Sequence, residues 1–191
     1  LGNPSIPAPV QVDQAIRDIL ADTDTLLVHG YTSAVGDLKT RQAIAEDLNA
    51  RYQAGVKPEN LFLGCGAASE LVSVLQALTA PGTEILAIAP YFPEYKPFAE
   101  NAGAIFKVVP PDVPDFQIRL DAVEAALTPN TAAIVINTPN NPSGTVYTRE
   151  TLKTLAELLT RKGAEYGHPI YLVSDEPYRE LSYGVEVPFI P

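Results

Sequence analysis

Apolar residues recur along the chain with two periods, and the period changes several times. Val12, Ile16, Ile19 and Leu20 repeat at helical spacing after an extended, proline-rich start, LGNPSIPAPV. A glycine-bearing loop, VHGYTSAVGD, leads to Asp37, which can cap a helix with Leu38, Ile44, Leu48 and Tyr52 on or near one face. Strand, loop and helix then alternate. Leu61–Leu63 predicts a strand running into GCGAASE, followed by a helix that carries Leu71, Val72, Leu75 and Leu78. Glu84–Ala89 predicts a strand ending at PYFPEY, with a short helix to about Asn101 and a further strand over Ala104–Val109. Leu120–Leu127 predicts a helix, Ala132–Ile136 a strand, Arg149–Arg161 a helix, and Ile170–Ser174 a last strand ending at DEPYREL. Such alternation predicts an α/β fold of three layers, a mostly parallel sheet covered by helices on both faces.

Composition narrows the picture. With 191 residues, 46% hydrophobic and 19% charged, the chain can build one α/β core. A net charge of -10 argues against nucleic acid as a partner, because gripping phosphates needs a basic face. The one cysteine, Cys65, forms no internal disulfide and reads as a small buried residue, which fits a reducing, cytoplasmic setting. No apolar run approaches a membrane span, and no secretory leader is expected. His29 and His168 lie far from any second histidine or cysteine at ligand spacing, so no metal site is expected. The chain opens without methionine and stops at VPFIP with no closing helix, so a fragment of a larger protein is expected.

In open α/β sheets, ligands bind outside the carboxyl ends of the strands. The residues there are GCGAASE, PYFPEY, NTPNNPSG and SDEPY. GCGAASE offers free backbone N–H groups at a helix start, with small side chains at Gly66, Ala67 and Ala68, and serves equally as a strand-to-helix turn capped by Ser69. NTPNNPSG holds three asparagines and two prolines, more than a plain reversal needs. Asp175, at the end of an apolar strand, needs a partner: a helix cap, an ion pair with Arg179, or a protonated ring nitrogen on a ligand. Tyr178, three residues on, either reaches the same ligand or packs.

Taken in this order, the four tips resemble the fold-type I pyridoxal-phosphate enzymes of the class I/II aminotransferase family. The segment GYTSAVGDLKTRQAIA resembles that family too, as does the separation of 34 positions from Asn141 to Asp175. The resemblance implies pyridoxal 5'-phosphate as cofactor and a division into residues 1–30, belonging with a small domain, and 31–191, an incomplete cofactor-binding large domain. It implies that Asn141 donates to the cofactor's ring oxygen, with prolines on both sides presetting the donor, and that Tyr178 reaches the same oxygen. Asp175 matches the carboxylate that keeps the ring nitrogen protonated, the one catalytic role assigned within this chain. Phe92 falls where an aromatic stacks on the ring, with Tyr91 as runner-up, and Ala67 and Ala68 match the amides that hold the phosphate. Tyr31 matches a tyrosine reaching the neighbouring subunit's phosphate, so a homodimer is implied. Gly2 matches the segment that closes over the substrate, which Asn141 also contacts.

One departure counts against competence of the chain alone. The family's Schiff-base lysine lies after the DEPY motif, whereas Lys39, Lys57, Lys96, Lys107, Lys153 and Lys162 all precede Asp175. The family's carboxylate-binding arginine has no match either. The resemblance implies an aminotransferase acting on an amino acid and a 2-oxo acid, with a carbon–sulfur β-lyase or the sensor domain of a transcription regulator as alternatives. Asn141–Pro142 is expected to be a cis peptide, with Ala89–Pro90 the second candidate.

Overall fold

The helical spacing of Val12, Ile16, Ile19 and Leu20 does give a helix, α1 (Val10–Asp22), and all four side chains are exposed on it. A computed structural model describes residues 5–190, which gather into two units, one ending at Leu63 and the other beginning at Gly64. In the first unit α1 is followed by the short helix α2 (Thr25–His29), capped by Asp24, and by α3 (Leu38–Tyr52). Asp37 caps α3 as expected, accepting from the Thr40 N–H at 2.8 Å. Ile44, Leu48 and Tyr52 of the expected face are half-buried, Leu38 is half exposed, and the most deeply buried residues of α3 are Arg41 and Ala45. Arg41 turns inward because Nη1 donates to the Pro58 carbonyl at 2.7 Å and Nε to the Gly36 carbonyl at 3.3 Å, so its stem packs while its charge is satisfied.

Leu61–Leu63 is not a strand. It leaves a single 3₁₀ turn (Pro58–Asn60) and makes one backbone bond, from the Leu63 N–H to the Val35 carbonyl, with no ladder to join. Phe62 is accordingly exposed. An apolar triplet becomes a strand only where a neighbouring edge accepts it.

The second unit carries α4 (Ala67–Leu78), β1 (Glu84–Ile88), α5 (Tyr95–Asn101), β2 (Ile105–Val109), α6 (Leu120–Ala126), β3 (Thr131–Asn137), α7 (Arg149–Tyr166) and β4 (Tyr171–Asp175). The strands pair in the order β2-β1-β3-β4, all parallel. Alternation along the strands splits the core into two layers. Ile85, Ala87, Ala133 and Val135 face a cluster containing Leu71 and Leu75 of α4 and Tyr95 and Ala99 of α5. Leu86, Ile88, Ile134 and Ile136 face Val123 of α6 and Leu152, Leu155, Leu158 and Leu159 of α7. Both faces are covered, which is why the strands read as continuous apolar runs. α7 runs past Arg161 to Tyr166, where Gly167 ends it at φ 80°. No described helix is long and apolar enough to cross a membrane.

The amino end of the sheet holds a buried carboxylate, Glu84. Lys107 reaches its Oε1 at 2.6 Å, and the Thr128 and Thr131 hydroxyls donate to Oε2 at 2.7 and 3.2 Å. Burial pushes this carboxyl up, but the bonds from Lys107, Thr128 and Thr131 together outweigh burial and hold it below its ordinary 4.5. A group lowered in this way stabilises the fold fully above its unfolded value and loses that contribution as pH falls through the folded one. In the full-length protein the thermal midpoint is therefore expected to fall more steeply below about pH 4.5 than in a Glu84→Gln variant, which starts lower and has no charge to lose. Parallel melting curves for the two proteins across that range would refute this role for Glu84.

Candidate active site

From β1 the chain crosses to β2 on one side, then returns to lay β3 on the other side of β1. That reversal opens a crevice outside the carboxyl ends of β1 and β3, the usual ligand position in such sheets. The loops that border it are Ala89–Phe92 and Thr138–Ser143. Asn140 ties them together, its Nδ2 donating to the Pro90 carbonyl at 3.1 Å. Asn141–Pro142 and Ala89–Pro90 are both cis, as expected, and so are Thr138–Pro139 and Val113–Pro114.

The three asparagines divide their work. Asn137 ends β3 beside Asp175 at the end of β4. Its Nδ2 donates to the Asp175 carbonyl at 2.7 Å, and its Oδ1 accepts from the Asn141 N–H. Asn140 Oδ1 accepts from the Ser143 N–H and hydroxyl, at 3.0 and 2.7 Å. The side chains of Asn137 and Asn140 are thus buried and committed to the protein. The Asn141 side chain makes no hydrogen bond among the described residues, so its amide is left open.

Asp175 is buried, and Tyr95 at the start of α5 donates its hydroxyl to Oδ2 at 2.6 Å. Burial pushes the Asp175 carboxyl above its ordinary value, and the Tyr95 bond offsets part of that. Oδ1 takes no bond among the described residues. The one fully buried side-chain polar atom without a partner among them is Gln117 Oε1, so Asp175 Oδ1 reaches the surface. The expected alternative of an ion pair with Arg179 is not what forms. Arg179 pairs with Glu176, which also accepts from the Ser174 hydroxyl at 2.9 Å, and Arg179 Nη1 reaches the Val187 carbonyl at 3.3 Å. Arg179 Nε and Nη2 both donate to Glu176 Oε2, while Oε1 takes the Ser174 hydroxyl. Asp175 is left with no cationic side chain paired to it among the described residues.

The aromatics of PYFPEY separate by role. Tyr91 packs edge-on to Phe106 of β2, with ring centroids 5.2 Å apart, whereas Phe92 packs edge-on to Tyr95, 5.7 Å away. Phe92 therefore stands beside the Tyr95–Asp175 pair and Tyr91 leans toward the sheet edge. Tyr178 follows Asp175 in an exposed turn, near enough to Tyr95 for their charges to interact. At α4, the first helical bond runs from the Glu70 N–H to the Gly66 carbonyl, so the amides of Ala67, Ala68 and Ser69 precede it. Ser69 does not cap the turn as an acceptor: its hydroxyl donates to the Gly66 carbonyl at 2.7 Å. Gly66 sits at φ 100°, with nothing within 4 Å of where a Cβ would be, and so leaves room for an anion.

Cys65 corrects an expectation. It is exposed, because it lies in the turn before α4 rather than on a core-facing element. Tyr31 is fully exposed in the first unit, and Gly2 lies outside the described residues. Of the lysines, Lys107 is taken by Glu84 at the opposite end of the sheet, and Lys96, Lys153 and Lys162 pair with glutamates on helices. Among the described residues no group of three or more His, Cys, Asp or Glu could hold a metal. Sequence reasoning missed Tyr95 and the structural duties of Asn137 and Asn140. The available signal for Tyr95 was a second tyrosine in PYFPEY at the start of a helix behind the β1 tip.

Comparison with known proteins places this geometry. The sequence matches the family described as Aminotransferase class I and II over residues 2–190. It is 34% identical over 190 residues to the aspartate/prephenate aminotransferase of Thermus thermophilus, covering 97% of this chain and 46% of that protein. It is 33% identical to the aspartate aminotransferase of Thermotoga maritima, covering 97% and 47%. Among solved structures, an amino transferase from Eubacterium rectale superposes with a TM-score of 0.96 at 49% identity, covering 99% of this chain and 48% of that one. The chain spans about half the length of the relatives it matches.

Proposed function

Because the chain belongs to the class I and II aminotransferase family, we propose that its protein is a pyridoxal-phosphate-dependent aminotransferase that moves an amino group between an amino acid and a 2-oxo acid. The observation that carries this reading is Asp175: a buried carboxylate without a cationic partner, one oxygen open, beside a strand tip where Asn141 keeps a free amide. A buried charge of this kind calls for a cation, and a protonated ring nitrogen supplies one. The residues present fit the cofactor. Asp175 would hold the proton on the ring nitrogen, Asn141 and Tyr178 would bind the ring oxygen, and Phe92 would cover a ring face. The amides of Ala67 and Ala68, opened by Gly66, would take the phosphate. When bound, the cofactor supplies an electron sink for the carbon next to the substrate's amine.

The same reading assigns Gly2 and Asn141 to the substrate and Tyr31 to the phosphate of a partner subunit in a homodimer. Residues 1–30 go with a small domain and 31–191 with the large one, in a cytoplasmic enzyme that binds neither nucleic acid nor membrane. The relatives named above are aminotransferases rather than lyases or regulators, which favours transfer over elimination. Purified full-length protein given pyridoxal phosphate is expected to acquire a visible absorption band, and to convert a 2-oxo acid to the matching amino acid when a second amino acid is supplied. Folded protein that acquires no band would overturn the proposal.

A further inference from the structure

We propose that Tyr95 is a positioning residue for Asp175: its hydroxyl fixes Oδ2 and presents Oδ1 to the ring. This rests on the reading of Asp175 given above. Tyr95 is 1% exposed and sits at the first position of α5, behind the β1 tip, 80 residues from its partner. Its ring is wedged among Tyr91, Phe92, Ala99 and the sheet, so the hydroxyl has little freedom to point elsewhere. The phenol is a dependable donor. Burial, the Asp175 bond and the Asp175 charge all push its ionisation far up, and charge on Tyr147 or Tyr178 adds to this.

Two effects oppose each other at Asp175. Burial favours the neutral acid, and the Tyr95 bond favours the carboxylate. A neutral Asp175 has no charge with which to hold a proton on a ring nitrogen. The backbone of Asp175 is held separately, by Asn137 Nδ2 on its carbonyl. Losing the Tyr95 hydroxyl therefore leaves the strand tip in place and frees only the side chain. This distinguishes a positioning role from a merely structural one.

The test is Tyr95→Phe in the full-length protein, which removes one oxygen and keeps the ring packing. Carbon-13 NMR of aspartate-labelled protein before cofactor addition follows the Asp175 carboxyl, identified by its loss in Asp175→Asn. In Tyr95→Phe the Asp175 titration is expected to move to higher pH. With cofactor bound, turnover is expected to fall roughly tenfold, as for one hydrogen bond to a charged group, with little change in KM. Fluorotyrosine at position 95, a more acidic donor, is expected to move the titration the other way, and it supplies the answer if the phenylalanine variant does not fold. An Asp175 titration unmoved by either change would overturn the proposal. Should the wild-type protein bind no pyridoxal phosphate, the aminotransferase reading falls, while the titrations still decide whether Tyr95 governs Asp175.

Discussion

Full-length protein carrying Asp175→Ala is expected to turn over at least about a hundredfold more slowly, the scale for losing one preorganised electrostatic partner, while still binding pyridoxal phosphate. Binding survives because the α4 amides and the Asn141 amide do not depend on the Asp175 side chain. Rate is lost because no other carboxylate is free to face a positive charge there: Glu176 is committed to Arg179, and Glu84 to Lys107 at the other end of the sheet. Alanine also strands the Tyr95 hydroxyl in the core, at a cost of about 1–3 kcal/mol in stability. Asp175→Asn separates the two effects. Its carbonyl oxygen still accepts from Tyr95, so the fold is kept and only the charge goes. Both variants are measured with cofactor occupancy read from absorption, so kcat refers to loaded enzyme. Turnover of the asparagine variant within a few-fold of wild type would show that the carboxylate does not support the ring proton.

The second large effect is expected at Asn137, which touches no ligand in the proposed site. Its amide closes two bonds at once, from Nδ2 to the Asp175 carbonyl and from the Asn141 N–H to Oδ1. Asn137→Ala leaves both backbone groups without this partner, the Asp175 carbonyl in a buried place and the Asn141 N–H in a partly buried one. At about 1–3 kcal/mol for the buried carbonyl and about 1 kcal/mol for the partly buried N–H, the expected loss is roughly 2–4 kcal/mol, read as a lower denaturation midpoint. Cofactor affinity is expected to fall as well, since the same two bonds locate Asn141 and Asp175. Asn137→Asp keeps the size and the acceptor but removes the donor, and belongs between wild type and alanine. If alanine at 137 leaves the denaturation midpoint where it is, the amide is not what joins the β3 and β4 tips.

Much of this architecture is visible in the residue pattern, and the exceptions share a cause. The strands of the sheet and the helices between them follow from local periodicity, because each buries an apolar face that its own sequence declares. Leu61–Leu63 has the same local signal and forms no strand, since strand formation depends on a neighbouring edge that no triplet encodes. Cys65 has the chemistry of a core residue but lies in a turn, which is a matter of position. The motif NTPNNPSG marks the tip of β3, yet composition alone does not divide its amides. Two of them serve the protein, and one is left free. The bond from Tyr95 to Asp175 spans 80 residues and arises only when the start of α5 is folded against the sheet, so it has no local trace. The motif residues at the strand tips were legible because they follow directly on the apolar strand runs. The groups that hold them were not, because they come from distant stretches of chain.

Among the described residues only two carboxylates are buried, one at each end of the sheet. Glu84 brings its counter-charge with it in Lys107, and Asp175 does not. The sheet is therefore electrically complete at its amino end and unfinished at its carboxyl end. Any cation seated at Asp175 relieves a desolvation cost that folding alone leaves standing, so loading and folding reinforce each other. Occupancy then acts as a stabiliser of the whole sheet, and the empty protein is the form most exposed to unfolding.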